Sequence, residues 1–120
     1  MGKKTLVLGA SLKSNRYSNY AIQKLVKYDH EVVAIGQKEG MVDGVHIHTR
    51  KLQFDAIHTV TLYLNPSRQT SYYEYIIGLA PKRVIFNPGT ENQEFYELLD
   101  QANIEVEVAC TLVLLSTNQY

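Results

Sequence analysis

Short apolar runs, most of them ended by glycine or asparagine, alternate with segments of helical periodicity along this chain. The runs cover residues 4–9, 31–36, 55–64, 83–86 and 104–109. Strands that alternate with helices predict a parallel sheet with helices on both of its faces. Because crossovers between parallel strands are right-handed, the favoured α/β fold is a single-domain, Rossmann-like, doubly wound and mainly parallel sheet of five strands.

Some elements of this prediction are less well defined. A further short strand is predicted around residues 45–47, and the helix that ends at Pro81 begins at either residue 66 or residue 71. Thr90 and Gln93 have the spacing of a capping box, which predicts the start of the next helix at that point. Apolar and acidic residues alternate over 104–109, which predicts a half-exposed edge strand. The apolar residues 112–115 form either a short helix or a lid over a sheet edge.

Size and composition restrict the classes of protein to be considered. A chain of 120 residues makes one domain, residues 1–120, since compact domains most often hold about 100–150 residues. There is no apolar run of about 18 residues and no signal-peptide pattern, so neither a membrane span nor secretion is expected. The single cysteine, Cys110, suits a reducing, cytoplasmic setting.

Charge is balanced in total but unevenly distributed. Twelve basic and twelve acidic residues argue against a nucleic-acid-binding surface. Residues 1–51 nevertheless carry nine Lys and Arg against four acidic residues, whereas residues 52–120 carry three against eight. This asymmetry indicates either a local anion site or two halves that attract each other across the fold or a dimer.

The loops after the predicted strands are the candidate binding site, because doubly wound sheets bind ligands beyond the carboxyl ends of their strands. Gly9-Ala10-Ser11 occupies the position of a phosphate loop, without a complete G-x-G-x-x-G motif, and Gly9 alternatively makes a tight turn alone. Lys38 follows the second strand, where NAD-binding domains carry an acidic residue. Its charge favours a phosphorylated ribose, as in NADP or coenzyme A, with a solvated surface lysine as the alternative.

A catalytic or metal site is not evident. His46 and His48 share one face of a strand, but no third ligand accompanies them, so no metal is predicted. Cys110 is interpreted as an inert thiol, with a mixed disulfide with a thiol ligand as the alternative. Tyr20 and Lys24 have the spacing of a reductase proton-donor pair but lie on the first predicted helix, away from a reductase site.

Five segments in order resemble the small stand-alone CoA-binding proteins, whose domain is similar to that of the succinyl-CoA synthetase alpha subunit. They are residues 7–11, 32–38, 61–66, 84–89 and 109–111, and the resemblance extends from Thr5 to about Tyr120. It implies coenzyme A or an acyl-CoA as the bound nucleotide ligand, extended across the strand ends. The cofactor-binding residues that it implies are Gly9, Ala10, Ser11, Leu12, Arg16, Gly36, Lys38, Tyr63, Leu64, Asn65, Asn87, Pro88 and Gly89.

Within that set, the resemblance implies separate roles. Residues 9–11 hold the pyrophosphate near Arg16, and Lys38 faces the phosphate on the adenosine. Residues 63–65 flank the adenine or the pantetheine arm, and residues 87–89 line the far side. Two departures are clear: Gly36-Gln37 replaces the family's Asn-Pro before the lysine, and Val108-Ala109 replaces its Asp/Asn-Arg before the cysteine.

Three functions remain open at this stage. The first is CoA binding without catalysis, the second an NADP-dependent reductase or other nucleotide-using enzyme, and the third a regulatory protein-interaction domain. A homodimer or protein partner is left open, whereas nucleic acid and membrane partners are not expected.

Overall fold

The computed structural model describes residues 2–120. Along the chain the elements are β1 (Thr5–Ala10), α1 (Tyr17–Lys27), β2 (Val32–Gly36), β3 (Gly40–Val42), β4 (Val45–His48), β5 (Thr59–Leu62), α2 (Pro66–Gln69), a 3₁₀ turn (Thr70–Tyr72), α3 (Tyr73–Leu79), β6 (Arg83–Phe86), α4 (Gln93–Gln101), β7 (Glu105–Val108) and α5 (Thr111–Ser116).

One sheet contains all of these strands, in the order β3-β4-β2-β1-β5-β6-β7. Every neighbouring pair is parallel except β3 and β4, which form an antiparallel hairpin at one edge. The α/β, Rossmann-like prediction is therefore confirmed, but the predicted count of five strands is wrong, since the sheet has seven.

The two additional strands belong to the β3–β4 hairpin, of which the sequence indicated the second, around residues 45–47. Asp43 and Gly44 connect the strands, with φ values of 49° and 83°. A two-residue loop with positive φ at both positions matches the right-handed twist of the flanking strands, and Asp-Gly is a preferred pair for it.

Helices cover both faces of the sheet, as a doubly wound fold requires. On one face, α3 and α4 pack Ile76 and Phe95 against strand residues such as Leu8 and Phe86. On the other face, α1 packs Ile22 and Leu25 against the sheet, joined by Leu115 of α5. These buried apolar layers hold the strand ends, and thus the loops that follow them, in fixed relative positions.

Several predicted boundaries change in the structure. The strand predicted over 55–64 is shorter in the structure, where β5 covers Thr59–Leu62. The segment before it forms a non-helical crossover from β4. The helix after it begins at Pro66, where the side chain of Asn65 accepts a hydrogen bond from the Arg68 N–H.

The later boundaries show one error and two agreements. The Thr90–Gln93 capping box is wrong: Asn92 caps α4 by accepting from the Phe95 N–H, and the Thr90 hydroxyl donates to the Asn87 carbonyl instead. The edge strand is confirmed as β7, and the stretch at 112–115 is a helix, α5. Among the described residues, no helix is long and apolar enough to cross a membrane.

Candidate functional site

Most of the predicted binding residues lie at or just after the carboxyl ends of β1, β2, β5 and β6, which are four neighbouring strands of the sheet. These strands are parallel, so their carboxyl ends lie at one edge. The chain proceeds from β1 to β2 on one side and later returns to β5 on the other side of β1. The crevice above β1 is therefore a topological switch point, where open α/β sheets bind ligands.

Two glycines allow the strand ends to approach one another at this crevice. A Cβ atom on Gly9, whose φ is +93°, would lie 2.9 Å from the carbonyl carbon of Tyr63. A Cβ atom on Gly36 would lie 2.2 Å from the carbonyl oxygen of Ala10. Gly9 lies inside β1, where the pairing with β2 shifts register between Leu8 and Ala10, so its positive φ serves this irregularity of the strand and its missing Cβ permits the close approach to the Tyr63 backbone.

The N-terminus of α1 opens at the same crevice. Arg16 is its N-cap residue and makes no side-chain capping hydrogen bond, and the first turn contains no acidic residue. The preceding loop is held by the buried Asn19, which donates from Nδ2 to the Ser11 carbonyl (2.9 Å). A helix N-terminus whose amides lack side-chain caps favours an anion through its N–H groups and its dipole.

The segments that follow β1, β2 and β5 each carry an exposed cationic side chain. Arg16 and Lys38, both predicted, are exposed on the loops after β1 and β2. Arg68, which the sequence analysis missed, extends from α2 towards the β2 loop. With the Gln37 amide oriented so that its carbonyl faces Arg68, Nη1 donates to it at 3.2 Å. The loops after β2 and β5 therefore meet over the end of β1.

The residues after β5 divide into buried and exposed members. Leu64 is part of the apolar core, and Asn65 is exposed as the cap of α2. The Tyr63 ring packs on the α1 side of the sheet. Burial strongly raises the pKa of the Tyr63 hydroxyl, which has no hydrogen-bond partner among residues 2–120.

Asn87 is fully engaged inside the protein. Its Nδ2 donates to the Thr61 hydroxyl (2.7 Å) and the Leu62 carbonyl (2.8 Å), and its Oδ1 accepts from the Thr111 N–H (2.9 Å). The side chain thus joins β5, β6 and α5 and has no free polar atom for a ligand. Pro88 and Gly89, by contrast, form an exposed turn beside it.

The candidate thiol lies at the next loop along the sheet. Cys110 follows β7, is half-buried, and is the N-cap residue of α5 without a side-chain capping bond. Its neighbours in the chain, Ala109 and Thr111, offer no general base.

The sequence and the structure of this chain are similar to those of known proteins. Residues 3–116 match the family model described as a CoA binding domain. A crystal structure of an uncharacterized protein is 47% identical with a TM-score of 0.97, covering 100% of this chain and 99% of its own.

More distant structures share the same architecture. A hypothetical protein from Pyrococcus horikoshii OT3 is 29% identical with a TM-score of 0.83, over 93% of this chain and 80% of its own. A protein from Thermus thermophilus, 21% identical with a TM-score of 0.86 over 99% and 91% of the chains, shows the fold alone. No curated protein significantly matches the chain.

Proposed function

Since the chain belongs to the family of CoA-binding domains, we propose that it binds coenzyme A or an acyl-CoA at the carboxyl ends of β2, β1, β5 and β6, without catalysis. One observation carries the location: the segments that follow β1, β2 and β5 each carry an exposed cation, and the N-terminus of α1, which follows β1, has no side-chain cap. A nucleotide with several phosphates matches such a site in charge and in extent.

In this proposal the pyrophosphate lies against the end of β1 and the loop that follows it. Gly9, Ala10, Ser11 and Leu12 offer backbone N–H groups, and the α1 N-terminus adds a favourable dipole. Gly9 matters because any larger residue would collide with the backbone of Tyr63. Arg16, exposed at the helix N-cap, supplies a counter-charge.

The phosphate on the adenosine ribose is assigned to Lys38, which follows Gly36 and Gln37 at the end of β2. Lys38 is exposed and forms no ion pair within the described part of the chain. Arg68 reaches the neighbouring Gln37 and gives this position a second cation. Charge-assisted hydrogen bonds to phosphate are stronger than neutral ones, so the third phosphate of CoA contributes directly to affinity here.

The remainder of the ligand follows the strand ends towards β6. Tyr63, Leu64 and Asn65 border one side, and the exposed Pro88-Gly89 turn borders the other. Asn87 acts as a positioning residue, because its amide fixes the β5 and β6 ends while its polar atoms are already bonded.

Calorimetric titration of the protein with CoA, dephospho-CoA, NADP and NAD tests the proposal. We expect CoA to bind more tightly than dephospho-CoA, with little binding of the nicotinamide nucleotides. NADP binding without CoA binding would instead favour a reductase. Failure to bind any of the four would leave a protein-interaction domain as the working interpretation.

Lys38→Glu tests the assignment of the ribose phosphate. Reversing the charge should weaken CoA binding about tenfold or more and leave dephospho-CoA binding little changed, since the lost interaction involves that phosphate. Lys82→Glu is the matched control: it changes the net charge equally but lies before β6, at the opposite end of the strands. Equal losses for CoA and dephospho-CoA would refute the role of Lys38.

A further inference from the structure

A second cluster of ligand-type side chains lies on the β3–β4 hairpin. His46 and His48 are separated by the buried Ile47, so both project from the outward face of β4. The antiparallel register pairs Gly40 with Ile47, which brings the preceding residue, Glu39, opposite His48. The sequence offered two histidines without a third ligand, and the hairpin supplies that ligand.

The three side chains are close enough to share one ion. One ligand atom from each of Glu39, His46 and His48 lies within 4.8 Å of the other two. Glu39 Oε1 lies 2.6 Å from His46 Nε2, and the two imidazole rings stack with centroids 4.1 Å apart. Tetrahedral zinc with bonds of about 2.0–2.2 Å separates its ligand atoms by about 3.4 Å, so small side-chain adjustments suffice.

The carboxylate is also held in place from behind. Glu39 Oε2 accepts hydrogen bonds from the Thr49 N–H and the Thr49 hydroxyl, each at 3.0 Å. A second partner that orients a ligating carboxylate is a recurring feature of metal sites. The side chains of His46 and Glu39 are 49% and 53% exposed, so an ion can enter from solvent.

We propose that Glu39, His46 and His48 bind a divalent transition metal, with Zn²⁺ as the preferred ion and one coordination position open to water or to an added ligand. Two imidazoles and a carboxylate form a donor set suited to zinc, whereas magnesium and calcium prefer sites made of oxygen atoms alone. The proposal is independent of CoA binding.

Titration of the untagged, chelator-treated protein with ZnCl₂ in a calorimeter, without nucleotide, tests the site. We expect one zinc ion per chain, and a loss of affinity of about tenfold or more in each of Glu39→Gln, His46→Ala and His48→Ala. Asp43→Asn in the turn of the same hairpin is the matched control and should bind zinc like the wild type.

Two results would overturn the proposal. If the wild type binds no zinc, the Glu39–His46 contact is an ordinary surface hydrogen bond. If Glu39→Gln binds as well as the wild type, a histidine pair alone attracts the ion, and the three-residue site is wrong. Circular dichroism of the metal-free variants confirms that each one folds, which matters most for His48→Ala because His48 is half-buried, whereas Glu39 and His46 are exposed.

Discussion

Replacing Gly9 by alanine should destabilise the protein through two separate effects. The first is conformational, because φ is +93° and an L side chain in this region costs about 1–2 kcal/mol. The second is crowding, since the new Cβ would lie 2.9 Å and 3.0 Å from the Tyr63 carbonyl carbon and oxygen. These atoms cannot retreat freely, because the Tyr63 N–H donates to the Leu8 carbonyl (2.8 Å).

Overpacking of a well-packed region costs about 1–3 kcal/mol, so the expected total for Gly9→Ala is about 2–5 kcal/mol. Gly89→Ala separates the two effects. Gly89 has the same φ of +93°, yet a Cβ atom there would meet nothing within 4 Å. It should therefore lose about 1–2 kcal/mol from backbone strain alone.

Urea denaturation of the wild type and the two variants measures both losses, provided that the m-values agree. We expect Gly9→Ala to exceed Gly89→Ala by about 1–3 kcal/mol, the contribution of crowding. Equal losses would refute the reasoning, because they would mean that β1 and β5 separate without cost at the point where the crevice opens.

Four further predictions concern single residues. Burial and, to a lesser extent, the charge of Lys3 lower the pKa of His30, whose Nδ1 accepts a hydrogen bond from the Lys3 N–H. The unfolded chain therefore takes up a proton at a higher pH than the folded protein does, and the stability decreases as the pH falls below about 6.5. His30→Asn should flatten this decrease in thermal melts between pH 7 and pH 5, and an unchanged slope would contradict it. Asn87→Ala should cost about 2–3 kcal/mol in urea denaturation, because three buried partners lose their bonds; a neutral result would be inconsistent with the network. Gly78→Ala should raise the free energy of unfolding in urea by about 1 kcal/mol, because alanine is the better helix former and a Cβ at this position of α3 meets nothing within 4 Å. A lower free energy of unfolding would contradict this prediction. Arg68→Gln should weaken CoA binding in calorimetry without lowering the melting temperature, since Arg68 is exposed; unchanged affinity would remove it from the site.

The central part of the fold could be predicted because local signals and the tertiary structure agree there. The runs ended by Gly9 and Gly36 became β1 and β2, and both glycines lie where the backbones approach closely. The Asp43-Gly44 hairpin was missed, although Asp-Gly between Val42 and Val45 is a strong local signal for such a turn. The strands on either side have only three and four residues, too few for a clear alternation.

Other misses depend on contacts that one sequence does not contain. Thr90 and Asn92 are both good cap residues, and the choice between them depends on where Phe95 enters the core. Arg68 reaches Gln37 from 31 positions away, after the intervening chain has crossed the sheet. Glu39 joins His46 and His48 because of the hairpin register, which was not predicted.

The uneven charge distribution acquires a physical interpretation from the topology. Residues 1–51 form the β3-β4-β2-β1 side of the sheet with α1, and residues 52–120 form β5, β6 and β7 with the other helices. Among the described residues, both ion pairs of a lysine or arginine with a carboxylate join groups from the same half, Lys4–Glu31 and Arg83–Glu107, and so does the Glu39–His46 hydrogen bond. Direct ion pairs between the two halves therefore do not explain the uneven charge distribution within the described part of the chain. The boundary between them runs along β1 and β5, and the exposed cations of the segments after β1, β2 and β5 match in charge the anionic ligand that we propose at these strand ends.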